Sequence, residues 1–229
     1  MKKKLVILSG AGMSAESGIK TFRDAGGLWE GHDVMEVASP EGFNKNPGLV
    51  LDFYNQRRRQ LFEVQPNQGH IIAAELEEDF DVTVITQNVD DLHERAGSTD
   101  VLHLHGELLK ARSVRNDNAI IDWGKDIFPG DLHNDGHQLR PHIVWFGEAV
   151  PAIVEAAEIV QKADYLIIVG TSMQVYPAAG LIDYAKQGIL VFYIDPNPGK
   201  IPGMHYNIET LPMTASEGME MVRERLKNL

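Results

Sequence analysis

The sequence predicts an α/β fold with a doubly wound parallel sheet and a small inserted domain. Five short runs of apolar, largely β-branched residues lack the alternation of a half-exposed strand, which indicates strands buried on both faces. Helical stretches separate several of these runs, and alternating strands and helices are typical of a doubly wound sheet. The 229 residues are enough for a well-buried core.

The predicted strands, in chain order, cover residues 5–8, 82–85, 101–104, 165–169 and 189–194. One helix is predicted to begin at Asn46-Pro47 and to run to about Val64, because a capping Asn followed by proline is a typical helix start. Four more helices are predicted at about residues 68–79, 152–162, 177–186 and 216–226. Together these elements give a Rossmann-like sheet with helices on both faces.

Two segments interrupt the alternation. Residues 23–46 are long for a connection, contain glycines and show no clear period, so we expect a functional loop there. Residues 109–141 are polar and are expected to form a loop-like insert between sheet elements. We therefore interpret residues 1–229 as a single domain with small-domain elements at about 23–66 and 107–141.

The composition excludes several classes of protein. The 33 acidic and 21 basic residues give a net charge of −12, so no broad basic face is available for nucleic acid. There is no cysteine, which excludes disulfides, a thiol nucleophile and a thiolate zinc site. The first apolar run ends at Ser9-Gly10, too early for a signal peptide, and no run is long enough to span a membrane. We expect a cytoplasmic protein without membrane contact.

A glycine-rich turn follows the first predicted strand. Gly10, Gly12 and Ala15 satisfy the loose dinucleotide pattern, in which small residues allow a tight turn and close approach of the backbone to a pyrophosphate. A tight turn without a ligand is the alternative. A hydride-transfer enzyme is disfavoured, because no second strand precedes the acidic residues found about 20 positions on. A P-loop is disfavoured as well, because no Gly-Lys-Ser/Thr follows.

The residues that follow are more specific. The stretch from Gly10 to Ile19, with Thr21-Phe22-Arg23-Asp24 and Gly27-Leu28-Trp29, strongly resembles the NAD-binding signature of the sirtuins, the NAD-dependent protein-lysine deacylases. The resemblance extends to about Ala215. Four further blocks occur in the order of that family: Thr86-Gln87-Asn88-Val89-Asp90, Leu104-His105-Gly106-Glu107, Val144-Trp145-Phe146-Gly147-Glu148 and Gly170-Thr171-Ser172.

The resemblance implies NAD as the cofactor and a set of residues that bind it. Asn88 and Asp90 would hydrogen-bond the nicotinamide amide, although residues of these types could equally cap a helix that begins near Val89. Phe22 and Arg23 would lie on a mobile loop that closes over NAD and excludes water. The implied cofactor-binding residues are Gly10, Ala11, Gly12, Ser14, Ala15, Gly18, Thr21, Phe22, Arg23, Trp29, Gln87, Asn88, Val89, Asp90, Gly170, Thr171, Ser172, Asp195 and Ala215.

A histidine is predicted to act as the general base. An imidazole with a pKa near 6.5 can take a proton from a ribose hydroxyl at neutral pH. From spacing alone either His103 or His105 could serve, since residues two apart share a face as long as the strand continues. The His-Gly-Glu context of the family favours His105, with Asn88 as the second catalytic residue, and His93 is interpreted as structural. The implied products are nicotinamide and O-acyl-ADP-ribose.

Two further groups of residues are implied to bind an acyl-lysine peptide. Tyr54 and Arg57, spaced i,i+3 on one helix face, resemble the Tyr-x-x-Arg of sirtuins that remove succinyl and malonyl groups. A guanidinium can hold a distal carboxylate with two hydrogen bonds. The alternative is a solvated charge run, Arg57-Arg58-Arg59. The segments that resemble the edges of the family's peptide clamp contain Val144, Phe146, Gly147, Glu148, Gln174 and Val175.

The chain departs from the sirtuin pattern in two places. Sirtuins ordinarily hold a structural zinc with paired cysteines, whereas here Ser113 stands about where the first would fall, and no zinc is expected. Metal binding by the His and Asp residues of 131–137 is a disfavoured alternative. Tyr193 stands where the family usually places an Asn that contacts the adenosine ribose, ahead of Asp195. The insert is predicted to be held by the packing of Ile120, Ile121, Trp123, Ile127 and Phe128.

The sequence therefore predicts an NAD-dependent protein-lysine deacylase, acting as a deacetylase and as a desuccinylase and demalonylase on acyl-lysine peptides and proteins. The alternatives are a mono-ADP-ribosyltransferase that uses the same NAD pocket and a non-enzymatic NAD sensor. The presence of Asn88, Asp90 and His105 disfavours the sensor. The sequence leaves open the protein substrates, the order of preference among acyl groups and the oligomeric state, a monomer included.

Overall fold

The computed structural model describes residues 2–20, 28–29, 31–200 and 207–229. The strands of these residues are β1 (Lys4–Ser9), β2 (Leu28–Trp29), β3 (His32–Asp33), β4 (Asp81–Thr86), β5 (Val101–His103), β6 (Gly106–Ser113), β7 (Ile120–Asp122), β8 (Leu139–Ile143), β9 (Tyr165–Val169), β10 (Leu190–Ile194) and β11 (Asn207–Leu211). The helices are α1 (Ala11–Ala15), α2 (Val34–Val37), α3 (Pro40–Lys45), α4 (Pro47–Glu63), α5 (Gln68–Glu75), α6 (Leu92–Ala96), α7 (Ile153–Lys162) and α8 (Ala215–Leu226), with 3-10 segments at Leu76–Glu78 and Ala178–Tyr184.

A six-stranded sheet, in the order β11-β10-β9-β1-β4-β5, forms the centre of the protein. Every pairing between its neighbouring strands is parallel. β1 lies between β4 and β9, so the chain extends the sheet in both directions from its first strand. The predicted doubly wound α/β class is confirmed.

Both faces of the large sheet are buried, which explains why its strands lack alternation. Leu5 and Ile7 of β1 pack in the core that includes α5 and α8. Val6 and Leu8 of the same strand pack in a second core, with α7 and the 3-10 segment Ala178–Tyr184. Each residue of the strand therefore contributes to one core or the other, as a parallel sheet between two helical layers requires.

A third core lies in a smaller unit built from α2, α3, α4 and the antiparallel sheet β7-β6-β8. The expectation of a loop-like insert at residues 109–141 was wrong, because β6 and β8 pair along much of their length. Ile121, Trp123 and Ile127 pack in this core, as predicted. Ile120 and Phe128 do not, since they are 43% and 58% exposed.

The described part of residues 23–46 also contains regular structure rather than one long loop. The carboxylate of Asp33 accepts a hydrogen bond from the Met35 N–H and caps α2. The hydroxyl of Ser39 accepts from the Gly42 N–H and caps α3, whose first residue is proline. These are short helices with side-chain caps, too short to show a hydrophobic period in the sequence.

The other elements follow the sequence with small differences. The helix predicted from Asn46-Pro47 is α4, and the Asn46 side chain accepts from the N–H of Leu49. The helix predicted at 177–186 is the 3-10 segment Ala178–Tyr184. The edge strand β11 was missed, because its residues are largely polar. None of the helices in the described part of the chain is long and apolar enough to cross a membrane.

Candidate active site

The loop after β1 and the loop after β9 contact each other at the carboxyl ends of these two neighbouring strands. The sheet extends in both directions from β1. The N–H of Gly12 donates to the carbonyl of Gly170 at 2.8 Å. A Cβ on Gly12 would lie 2.7 Å from the Gly170 Cα, and Gly170 itself has a φ of +64°. Neither position tolerates a side chain without strain. Ligands of doubly wound sheets bind at this kind of crevice, which is where the sequence predicts the cofactor.

Ser14 is the centre of a buried hydrogen-bond network next to this crossing. Its hydroxyl donates to Asp90 Oδ2 at 2.9 Å and accepts from Asn88 Nδ2 at 3.0 Å. His70 Nε2 lies 3.4 Å from the same oxygen, and because His70 Nδ1 accepts from the Asn67 N–H, Nε2 carries the ring hydrogen. The hydroxyl thus makes one donation and accepts two hydrogen bonds, which is its full capacity.

Asp90 is a buried carboxyl whose pKa is raised by burial and lowered by its hydrogen bonds. Burial raises the pKa of Asp90 to about 6, while hydrogen bonds from Ser14 and from the Leu92 N–H oppose the rise. Asp90 also accepts from the N–H of Leu92, the first residue of α6, although the N-cap position itself is Asp91, whose side chain makes no capping bond. The capping role considered from the sequence does not apply to Asn88, whose side chain bonds Ser14 instead. The helix begins at Leu92 and not near Val89.

The hydrogen bonds of His105 identify which of its ring nitrogens can take up a proton. Nδ1 lies 3.0 Å from the carbonyl oxygen of Gln87. A carbonyl only accepts, so Nδ1 carries the hydrogen and Nε2 keeps its lone pair. Burial lowers the pKa of His105 below its ordinary value of 6.5, against the effect of the Gln87 bond. A neutral imidazole with a basic Nε2 has the properties of a general base at neutral pH.

His103 has a different environment, although the sequence left it as an alternative base. β5 ends at His103, so the two histidines are not on one continuous strand. His103 Nδ1 lies 2.9 Å from the Asn88 carbonyl and its Nε2 lies 2.7 Å from Glu94 Oε1. With both nitrogens bonded to acceptors, the ring has no lone pair to offer. This geometry favours His105.

Tyr54 and Arg57 lie one turn apart on α4, beside an aromatic cluster. Tyr54 is buried, its hydroxyl accepts from Trp145 Nε1 at 3.0 Å, and burial raises its pKa far above the ordinary value. The Arg57 guanidinium lies 4.0 Å from the centre of the Phe53 ring, and its Nη1 donates to the Phe53 carbonyl. Trp29, implied as a cofactor residue, packs edge-on against Phe53 and Tyr54.

The three consecutive arginines of α4 do not form a uniformly solvated face. Arg58 is buried and donates to the Leu108 carbonyl and to Asn55. Arg59 is exposed and pairs with Asp126 at 2.7 Å. Arg57 is half-buried against Phe53. The alternative of a plain charge run therefore does not describe this helix.

The segment from Val144 to Glu148 joins the base to the smaller unit. The N–H of Val144 donates to the His105 carbonyl, and the N–H of Phe146 donates to the Ala38 carbonyl. Phe146 is 42% exposed, and Gly147 has a φ of +91°. Gln174 and Val175, the other residues implied to bind the peptide, are exposed.

Glu148, implied as a peptide-binding residue, is engaged within the chain. Its carboxylate accepts from Arg140 at 2.7 Å and lies 3.3 Å from Arg112, and both arginines are buried. The same carboxylate accepts from the Trp145 N–H at 2.8 Å. The Arg140 guanidinium also stacks on the Trp145 ring, 3.3 Å from its centre. Glu148 thus connects the small sheet to the Tyr54 cluster.

The remaining implied cofactor residues lie along the carboxyl edge of the large sheet. Gln87 Nε2 donates to Thr171 Oγ1 at 3.2 Å, and Ser172 is half-buried next to it. Asp195, directly after β10, is buried and accepts from the Asn197 N–H. Tyr193 donates its hydroxyl hydrogen to the Thr171 carbonyl at 3.1 Å and accepts from the Gly199 N–H. Its phenol holds two loops together instead of presenting an amide.

The other implied residues are less informative. Ala11 and Ala15 belong to α1, Gly18 follows it with a φ of +97°, and the Val89 carbonyl accepts from the Leu108 N–H. Ala215 is buried at the start of α8, against Gly69. Thr21, Phe22 and Arg23 lie outside the described residues.

Sequence reasoning gave no role to His70, Trp145, Arg112 or Arg140. His70 lies more than fifty residues from Ser14 in the chain, and nothing local in the sequence links them. Trp145 stands inside one of the matched blocks, but its partner Tyr54 is 91 residues away. Long-range hydrogen bonds of this kind have no periodic or spacing signal.

The His and Asp residues of 131–137 serve the local turn. Asp131 accepts from the Phe128 N–H and Asp135 accepts from the His137 N–H. Within the described residues, the one group of three potential ligand side chains that lie close together is Glu94, His103 and Glu107. The Ser113 hydroxyl accepts from the Arg115 N–H, so a serine and turn carboxylates stand where a thiolate site would be. Without a cysteine the segment does not fit a structural zinc of the paired-cysteine type.

Comparisons with known proteins agree with this architecture. A family model described as "Sir2 family" matches residues 10–177. A Helicobacter pylori protein named NAD-dependent protein deacylase is 60% identical over 224 residues, covering 98% of this chain and 97% of its own. A Bacteroides thetaiotaomicron protein of the same name is 55% identical over 231 residues, covering 98% of each chain.

Solved structures are similar over nearly the whole chain. The crystal structure of a Sir2 homologue in complex with NAD has a TM-score of 0.87 at 39% identity, covering 99% of this chain and 90% of that one. A mutant Sir2 homologue in complex with ADP-ribose has a TM-score of 0.89 at 39% identity, covering 99% and 93%.

Proposed function

This chain belongs to the Sir2 family, and we propose that it is an NAD-dependent protein deacylase that removes succinyl and malonyl groups, as well as acetyl groups, from lysine side chains. The deacylase activity is the activity named for relatives at 55% and 60% identity. The preference for acidic acyl groups goes beyond those names and rests on Tyr54 and Arg57. The observation that carries the catalytic proposal is the His105–Gln87 hydrogen bond, which leaves Nε2 as a base.

The residues at the carboxyl ends of β1 and β9 fit NAD. Ala11 and Gly12 are only partly buried, so backbone is accessible at the turn where a pyrophosphate would approach. The Ser14 network offers the amide and carboxyl groups of Asn88 and Asp90 for the polar substituent of nicotinamide. Thr171 and Asp195, at the ends of β9 and β10, would hold the adenosine half.

NAD, when bound, supplies the ribose that receives the acyl group as nicotinamide leaves. The chain's part is to orient, to move one proton and to exclude water. Asn88 and Asp90, held by Ser14, would bind the nicotinamide amide and orient it. His105 Nε2 accepts the proton of a ribose hydroxyl, and the Gln87 carbonyl stabilises the imidazolium that results. One water is consumed after nicotinamide has left, as the acyl group passes from the lysine nitrogen to the ribose, and the products would be nicotinamide, the free lysine and O-acyl-ADP-ribose.

Recognition of the acyl group would come from the helix that carries the aromatic cluster. The Arg57 guanidinium can grip a distal carboxylate, and the Tyr54 hydroxyl can donate one further bond. Val144, Phe146, Gly147, Gln174 and Val175 would hold the peptide on either side of the lysine. Glu148 would act indirectly, by fixing Trp145.

The proposal is tested with one peptide sequence carrying acetyl-, malonyl- or succinyl-lysine, incubated with and without NAD and analysed by mass spectrometry. We expect NAD-dependent loss of all three groups, fastest for malonyl and succinyl, with one O-acyl-ADP-ribose formed for each lysine released. ADP-ribose attached to protein without deacylation would instead identify a mono-ADP-ribosyltransferase. Deacetylation alone would contradict the acyl preference and leave the deacylase assignment intact.

A further inference from the structure

His103 and Glu94 form a hydrogen-bonded pair next to Asn88, a residue of the proposed nicotinamide site. The His103 side chain is 8% exposed, and its Nε2 lies 2.7 Å from Glu94 Oε1 on α6. Its other nitrogen, Nδ1, lies 2.9 Å from the carbonyl oxygen of Asn88. Asn88 is the residue whose side chain joins the Ser14 network. His103 is therefore hydrogen-bonded to the backbone of Asn88, whose side chain belongs to the proposed cofactor site.

The two hydrogen bonds define the charge of the ring. The Asn88 carbonyl can only accept, so Nδ1 carries a hydrogen, and an ionised carboxylate can only accept, so Nε2 carries one as well. The pKa of His103 is raised and the pKa of Glu94 is lowered, mainly by this pair against the effect of burial. Both directions describe an imidazolium bound to a carboxylate. His105, two residues on, is bound to a single carbonyl and has a lowered pKa.

His105, as a neutral ring, and His103, as a charged ring, thus bond the carbonyls of two consecutive residues. His105 bonds the carbonyl of Gln87 and His103 bonds that of Asn88. We propose that His103, held by its hydrogen bond to Glu94, is a positioning residue: its Nδ1 bonds the Asn88 carbonyl and so fixes Asn88 for the nicotinamide end of the cofactor. This inference rests on the proposed function, because it takes the Asn88 side as the nicotinamide side.

The charged groups around His103 are compatible with this role. Glu94 on α6 bonds the ring, and Glu107 on β6 also raises the pKa of His103 while forming its own ion pair with Lys110. Lys110 acts on Glu94 in turn. On the cofactor side, the charge of His103 lowers the pKa of Asp90 and the pKa of the neighbouring buried His93. Asp90 is the acidic group on that side, so the charge of His103 favours its ionised form.

The test compares binding of NAD with binding of ADP-ribose, which lacks nicotinamide, by calorimetry on the full chain. His103→Gln removes the ring, and Glu94→Gln keeps a bonding partner but removes the charge. Glu77→Gln is the control, because Glu77 accepts two equally short bonds from Thr99 in the loop before β5 but does not bond His103. The pH dependence of the NAD Kd is measured from pH 6.5 to 9 for all four proteins.

We expect His103→Gln and Glu94→Gln to bind NAD about tenfold more weakly at pH 6.5, the size of one charge-assisted hydrogen bond, and ADP-ribose within twofold of wild type. The loss of NAD affinity with rising pH should move to lower pH in Glu94→Gln, and Glu77→Gln should match wild type throughout. Unchanged NAD binding, or equal weakening of NAD and ADP-ribose, would overturn the positioning role. A wild-type chain that bound neither ligand would contradict the proposed function as well.

Discussion

The indole nitrogen of Trp145 donates a hydrogen bond to the hydroxyl oxygen of Tyr54 at 3.0 Å, between two residues that are 91 positions apart. A phenol oxygen that accepts from one side can still donate its own hydrogen to the other. The indole of Trp145 is itself kept in place, because the Glu148 carboxylate accepts from the backbone N–H of Trp145 and the Arg140 guanidinium stacks on the indole ring. The Tyr54 hydroxyl is thereby oriented before any substrate arrives.

Replacing Trp145 by Phe should reduce desuccinylation more than deacetylation. The ring packing is largely kept, but Tyr54 loses the bond that orients its hydroxyl. We expect kcat/KM for a succinyl peptide to fall about fivefold, the equivalent of one neutral hydrogen bond, and kcat/KM for an acetyl peptide to change less than twofold. Equal losses on both peptides would assign Trp145 a structural role only.

Arg57→Met should separate the acyl groups most strongly. The guanidinium is the group that can bind a distal carboxylate, so we expect kcat/KM for succinyl and malonyl peptides to fall about a hundredfold while deacetylation survives or improves. Arg59→Met is the matched control, since Arg59 lies on the same helix, is exposed and pairs with Asp126. If the Arg57 variant lost both activities to the same extent, the carboxylate-binding assignment would be wrong.

The activity of the wild-type protein should fall on the acidic side of neutrality. His105 must be neutral to accept a proton, and its pKa is lowered below 6.5, so the base is fully available at pH 7.5. Asp90, whose pKa is about 6, becomes protonated in the same range. We expect kcat/KM for the acyl peptide, measured at saturating NAD from pH 5 to 8.5, to be level above about pH 7 and to decline toward lower pH with a midpoint below 6.5. A midpoint above 7 would be incompatible with the buried, neutral His105.

The ion cluster of the small sheet should be a major source of its stability. Glu148 neutralises Arg112 and Arg140, which are 5% and 7% exposed. Glu148→Gln leaves the buried Arg140 without a counter-charge and leaves Arg112 with only the exposed Asp117 at 3.4 Å, which we expect to lower the free energy of unfolding by about 3 kcal/mol. Urea denaturation measures this, with Glu158→Gln on the exposed face of α7 as the control. A loss no larger than that of the control would show that packing alone holds the unit.

The large sheet was predictable because its information is local. Every strand except the polar edge strand β11 carries an apolar run, since one face of the sheet packs on α5 and α8 and the other on α7. α4 was predictable for a similar reason, because the Asn46 cap and Pro47 are adjacent in sequence. Burial on two faces and capping both leave a signature within a few residues.

The small sheet was not predictable because its information is long-range. Arg112 in β6 and Arg140 in β8 look like surface residues in the sequence, yet both are buried. Their burial depends on Glu148, which is 36 residues from Arg112. A charged residue whose partner lies in another element gives a polar pattern that resembles a loop.

The candidate site shows the same division. The blocks around Gly10, Asn88 and His105 locate it, and the family context already favours His105 over His103, but the physical reason lies in their hydrogen-bond partners. Those partners are Glu94 for one ring and a backbone carbonyl alone for the other. A main-chain acceptor has no side-chain identity, so the sequence contains no trace of it.

His105→Tyr removes the proposed general base of the NAD-dependent deacylase. Wild type and variant are incubated with NAD and a succinyl peptide, and O-acyl-ADP-ribose is quantified by mass spectrometry. Circular dichroism and ADP-ribose binding verify that the variant is folded. We predict stoichiometric product from wild type and none from the variant. Turnover retained by a folded variant would contradict the role of His105, and a wild type that forms no product would contradict the deacylase itself.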